Sequence, residues 1–246
     1  MTSPAAGPAG PADSTVPAAD LAALRESTER LLAAVAGLDD ASVAEPSLLP
    51  GWTRGHVLAH LARNADALAG VLAGRPMYPS AEAREADIER DAPRPLAAQL
   101  ADLRDADARL GRAMDSLAGE RWGATVALRN GVTDLASSLP FRRRIEVELH
   151  HVDLGIGYTL HDLPADFTER ELENMVRRFA GHPGVAPLEL RTGDGRVRRT
   201  GRAAAAGTEP VVVTGPPTEL MGWLTGRTTG GGLTVSGGVL PALPPL

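Results

Sequence analysis

The chain has 246 residues, 43% hydrophobic and 23% charged, a globular balance with length for one large domain or two small ones at ~150 residues each. Its formal charge is −6 and neither a net basic domain nor a Lys/Arg tract stands out, which argues against nucleic-acid and anionic-membrane partners. Cysteine is absent, which excludes disulfides, thiolate metal sites and a cysteine nucleophile, so any thiol chemistry needs a thiol from a partner molecule.

Residues 1–16 are Pro, Ala, Gly and Ser without periodicity and are expected to form a flexible tail. They show neither a basic n-region nor an apolar h-region, so they are not a secretory signal. No apolar run is long enough to span a bilayer, and the expectation is a cytoplasmic protein. From residue 18 to about 38, Leu21, Leu24, Leu31, Leu32 and Val35 recur at helical spacing and predict a first helix. A Pro-bounded loop follows, from Glu45 to Trp52. Thr53 is the expected N-cap of a second helix that runs to about Leu72, where Gly74-Arg75-Pro76 ends it. Residues 80–90 are charged and read as a short helix or a lid. Pro95 opens a third long helix carrying Leu96, Leu100, Leu103, Leu110 and Met114.

Residues 122–128 and 132–135 flank Arg129-Asn130-Gly131 and read as a β-hairpin, because Asn-Gly favours tight turns. Pro140 begins a fourth helix ending near Gly155. Residues 17–160 therefore read as a four-helix bundle with a small hairpin insertion, a layout that builds metal sites between its helices. Residues 161–246 differ in texture. Residues 167–180 are helical, 188–191 and 197–199 form a strand pair around Gly193-Asp194-Gly195, and 209–214 hold a buried strand by their β-branching. Residues 217–224 form a short helix and 233–236 a last strand, giving a small α+β domain and an α+β chain overall.

Histidine and glutamate placement carries the chemistry. His56 and His60 are four apart and share a helical face with Val57, Asn64 and Ala67, so that face looks inward. Glu146 and His150 are also four apart, with His151 beside them. A Glu/His pair at this spacing plus one His from a neighbouring helix supplies two nitrogens and a carboxylate, a catalytic zinc arrangement with an open position. The plainer readings are a solvated helix face for the Glu/His pair and a buried His56 bonded to a carbonyl. The Arg142-Arg143-Arg144 run reads as a solvated face. Asp153, three after His150, either orients that imidazole or caps a backbone group.

The segment Leu49-Pro50-Gly51-Trp52-Thr53-Arg54-Gly55-His56-Val57-Leu58-Ala59-His60-Leu61-Ala62-Arg63-Asn64-Ala65 resembles the mycothiol-dependent maleylpyruvate isomerase family. So does Glu146-Val147-Glu148-Leu149-His150-His151-Val152-Asp153-Leu154-Gly155. The likeness extends to Pro76-Met77-Tyr78, Glu82-Ala83-Arg84, Val211-Val212-Val213-Thr214-Gly215 and Gly226-Arg227. It implies a DinB-like metal-binding bundle followed by a C-terminal α+β domain. Carried over by position, it implies zinc ligands at His60, Glu146 and His150, with His56 and Glu148 outside the ligand set. It also implies active-site arginines at Arg84, in the loop after the second helix, and Arg227, in the C-terminal domain. Ile145 departs from the family, where an Arg is frequent just before the ligand Glu, which leaves a local ion pair in doubt.

The implied activity is zinc- and mycothiol-dependent isomerisation of maleylpyruvate to fumarylpyruvate, a step of the gentisate route of aromatic degradation. The family route is thiolate addition to the cis double bond, rotation and elimination, and two arginine forks suit the substrate's two carboxylates. The implied partners are this dicarboxylate and mycothiol, with the protein expected as a monomer. A mycothiol S-transferase would use the same triad, and a non-catalytic metal-binding bundle would keep the same fold.

Overall fold

Leucines at helical spacing close the core of the first part of the chain. The computed structural model describes residues 16–203 and 209–245, and the chain divides into two units, Met1–Tyr158 and Thr159–Leu246. Most of the expected flexible tail, residues 1–15, lies outside the described residues. The first unit runs α1 (Ala18–Val35), α2 (Asp40–Ala44), α3 (Arg54–Leu72), α4 (Ala81–Asp91), α5 (Leu96–Asp115) and α6 (Leu139–Asp153). Between α5 and α6 stands a hairpin of β1 (Thr125–Ala127) and β2 (Thr133–Leu135). Helix α1 packs on α6, and α3 packs on α4, α5 and α6. Leu31, Leu61, Leu103 and Val147, one from each long helix, are buried in one shared apolar cluster. No described helix is long and apolar enough to cross a membrane.

Local chemistry fixes the helix starts. Thr53 Oγ1 accepts from the backbone N–H of His56, and the His56 ring accepts in turn from the N–H of Thr53. This reciprocal cap satisfies two donors that an α-helix leaves orphaned. Ser80 caps α4 in the ordinary way, with its Oγ accepting from Ala83 N–H. Residues 80–90 are thus a helix rather than a lid, and Arg84 sits on that helix rather than in a loop. Gly55 allows a close approach, since a Cβ there would stand 2.2 Å from the carbonyl oxygen of Ala92 at the end of α4.

Several boundaries differ from the sequence reading. Helix α1 stops at Val35, and the five-residue α2, capped by Asp39, follows where no helix was expected. Trp122 is not in a strand but in a 3-10 turn, Gly119–Gly123, where it is buried. The hairpin loop spans Arg129–Gly131, with Asn130 (φ 58°) and Gly131 (φ 73°) both left-handed. The arginine run is not a solvated face. Arg143 and Arg144 are buried, while Arg142 pairs with Asp134 at 2.6 Å.

The second unit holds α7 (Ala165–Phe179), α8 (Pro217–Leu224) and a four-stranded sheet. The strands are β3 (Leu188–Arg191), β4 (Val197–Thr200), β5 (Val211–Thr214) and β6 (Thr234–Val235), in the order β4-β3-β5-β6. β3 runs antiparallel to β4 and parallel to β5, and β6 closes antiparallel on β5. Helix α7 packs on α8 and on β4. The chain is therefore α+β, helical first and sheet-containing second.

Candidate metal centre

The site begins nearly two turns inside α3. His60 is 5% exposed, and its Nε2 lies 2.9 Å from Glu146 Oε2 on α6. One turn further along α6, His150 brings its own Nε2 to 3.2 Å from the same oxygen. The two imidazoles meet edge to face with centroids 4.7 Å apart. One ligand atom from each of His60, Glu146 and His150 lies within 4.8 Å of the others. Among the described residues this is the one such group of metal-ligating side chains. Zinc binds His nitrogen and carboxylate oxygen at ~2.0–2.2 Å, and ligand atoms at these separations could surround one such cation.

Neighbouring groups aim the ligands. Asp153 Oδ2 stands 2.8 Å from His150 Nδ1 and holds that ring with Nε2 toward the centre. Arg84 Nη2 reaches His60 Nδ1 at 3.0 Å. A guanidinium only donates, so Nδ1 accepts and Nε2–H donates to Glu146 in this arrangement. His60 offers Nε2 to a cation as the other tautomer, with Nδ1 protonated and Arg84 no longer donating to it. Arg84 also lies 5.8 Å over the Tyr78 ring, and Trp52 stands 5.7 Å from the His60 ring.

Electrostatics sort the three groups. Burial is the largest influence on His60 and takes its pKa down to about 4 against the pull of Glu146, leaving a neutral ring with a lone pair. Burial also pushes Glu146 up, but hydrogen bonds from His150 and His60 and their charges outweigh it, and the carboxyl stays ionised well below its usual range. Burial lowers His150, and the carboxylates of Asp153 and Glu146 more than reverse it.

Comparison with known proteins gives the family. Residues 24–155 match the model of the mycothiol maleylpyruvate isomerase N-terminal domain, and residues 162–245 match that of the MDMPI C-terminal domain. The chain belongs to the mycothiol maleylpyruvate isomerase family. Among solved structures it is similar to a mycothiol-dependent maleylpyruvate isomerase, with TM-score 0.84 and 28% identity over 94% of this chain and 97% of that one. A histidine-to-alanine mutant of a mycothiol-dependent maleylpyruvate isomerase matches with TM-score 0.86 and 27% identity over the same shares. No curated protein matches the chain.

Within this family frame the other residues fall into place. His56 stays out of the triad because its ring caps α3 and stacks on Trp52, with centroids 6.1 Å apart. Glu148 is buried among α1 groups instead, accepting from Ser27 Oγ at 2.5 Å and Arg30 Nη2 at 2.7 Å, and from Tyr158 OH at 2.7 Å. Arg227 follows α8 in the second unit, beyond Gly226, whose φ of 73° ends that helix. Sequence reasoning missed Arg143. It is fully buried and donates to the Leu61 carbonyl and to Asn64 Oδ1, both at 2.9 Å, tying α6 to α3 beside His60. The signal was available, since Arg143 precedes Glu146 by three and His150 by seven and so shares the ligand face.

Proposed function

We propose that this chain isomerises maleylpyruvate to fumarylpyruvate with mycothiol as the thiol and a divalent metal, zinc, held by His60, Glu146 and His150. The observation that carries the reading is the convergence of two imidazole Nε2 atoms on Glu146 Oε2, within a chain that belongs to the isomerase family. His60, Glu146 and His150 would hold the metal, and the metal with mycothiol would supply a thiolate nucleophile for the substrate's cis double bond. The protein has no cysteine, so it provides no nucleophilic thiol of its own.

The chain's own residues bind and orient. Asp153 fixes the His150 ring, and the neutral His60 presents a lone pair. Arg84 and Arg227 are assigned, from the family resemblance, to the substrate's carboxylates and to the negative charge that develops on it. Planar guanidinium forks match carboxylates and are strongest where water is excluded.

Metal content and product identity test the reading together. Elemental analysis is expected to find one metal per chain in the wild type and most of it lost in Glu146→Ala. Glu148→Gln is expected to keep the metal, because Glu148 bonds to Ser27, Arg30 and Tyr158 rather than to the triad. With mycothiol and maleylpyruvate, NMR is expected to show fumarylpyruvate and free thiol. Equal metal in all three proteins contradicts the site, and a stable thiol adduct as product makes the protein a transferase.

A further inference from the structure

The first unit contains a cavity whose chemistry the isomerase reading does not use. It has a volume of about 630 Å³ and lies between the end of α3, the segment Arg75–Tyr78 and the β1–β2 hairpin. That volume is within the ~300–1,000 Å³ usual for small-molecule sites. Its walls are apolar, with Val71, Leu72, Met77, Leu117, Val126 and Leu128. Three arginines stand around them, Arg75, Arg121 and Arg129, and no Asp or Glu lines the cavity.

The chain has 31 acidic residues against 25 arginines. Several other arginines of the first unit find carboxylates, as in Arg25–Asp115, Arg63–Asp102, Arg109–Asp66 and Arg142–Asp134, whereas the cavity offers its arginines none. Arg121 gives one bond, at 3.2 Å, to the Leu72 carbonyl. Arg75 and Arg129 have no ion pair or side-chain hydrogen bond among the described residues. Cations left unmatched around an apolar hollow, in an acidic protein, fit a ligand that brings its own negative charge and an apolar body.

We propose that this cavity is a binding site for an amphipathic organic anion, with a carboxylate or phosphate head held by Arg75 and Arg129 and an aliphatic or aromatic body against Met77, Val126 and Leu128. The site is separate from the metal triad and does not depend on the isomerase reading. Tyr78 lines the cavity and carries the Arg84 guanidinium on its ring, so the two sites share one wall.

Calorimetric titration of the full chain at constant ionic strength tests this, with octanoate, octan-1-ol and inorganic phosphate as probes and octyl phosphate as a second amphiphile. Octanoate, octyl phosphate or both are expected to saturate at one per chain, and which binds more tightly identifies the head group. Octanol and inorganic phosphate are expected to bind at least tenfold more weakly, since each carries half of the recognition. The double variant Arg75→Gln, Arg129→Gln is expected to lose at least tenfold in affinity; both side chains are exposed, so folding is not at stake. His60→Ala is expected to leave the affinity unchanged. Absence of saturation by either amphiphile, octanol binding as tightly as both, or full affinity in the double variant overturns the proposal. Loss of binding in His60→Ala also overturns it, because it places the amphiphile at the metal centre.

Discussion

Arg84 occupies the one nitrogen of His60 that must carry a proton when Nε2 binds a metal. The guanidinium and a cation at the triad therefore compete for the tautomer of one ring. Arg84→Ala removes that competition and one positive charge beside the site. It is expected to bind zinc about tenfold more tightly in a chelator competition, the value of one hydrogen bond to a charged group. Equal or weaker affinity would show that Arg84 does not hold the ring in the metal-free tautomer. A second residue links titration to stability. Glu171 on α7 is buried, and burial raises its pKa from the usual 4.5 to about 7, against the opposing effects of Asn174, Arg227, Arg178 and Arg177. The folded protein holds this proton more tightly than the unfolded chain. The resulting stability is complete below about pH 4.5 and is lost as pH rises through about 7. Glu171→Gln cannot ionise, so its melting temperature is expected to overtake the wild type between pH 5 and pH 8. The gain at pH 8 is on the order of 2–3 kcal/mol. A Tm difference that does not vary with pH would contradict this.

Among the elements, α3 matters most, because it holds His60 and touches α4, α5 and α6. Its start was legible in the sequence, since Pro50-Gly51 breaks the chain and Thr53 is a good cap. The role of His56 in that cap was not, because a ring nitrogen accepting from the N-cap backbone replaces the usual Glu or Gln. Helix α2 escaped notice because five residues are too few to show a period. The reason for a glycine at position 55 is packing, which local sequence does not reveal. The Ala92 carbonyl that approaches it also accepts from Gln99 Nε2 at 2.7 Å, so it cannot easily move. Gly55→Ala is expected to push α4 off α3 and cost about 1–3 kcal/mol by thermal or urea unfolding. Gly111→Ala on α5 meets nothing within 4 Å and is expected to be neutral or stabilising by up to about 1 kcal/mol. Equal effects at both positions would remove the packing argument.

At the scale of the whole molecule, the order of helices, hairpin, helix and sheet was readable from periodicity and turn residues. The pairing of β3 with β5 in parallel was not, since nothing local to either strand specifies a distant neighbour. The triad was half legible. The spacing of Glu146 and His150 follows from the helical repeat, but the choice of His60 over His56 rested on the family likeness, and only the fold shows His60 inside and His56 at the cap. Charge alone makes Arg143 and Arg144 read as solvated, whereas their phase on α6 turns both inward. The proposed chemistry requires a chain without cysteine to work with a borrowed thiol at a bound metal. The direct measurement is the rate of maleylpyruvate loss by zinc-loaded, dialysed protein with and without added mycothiol, beside Glu146→Ala under the same conditions. Turnover is expected only with mycothiol and only in the protein that holds its metal, whereas full turnover in thiol-free buffer, or an undiminished rate in Glu146→Ala, would contradict the account.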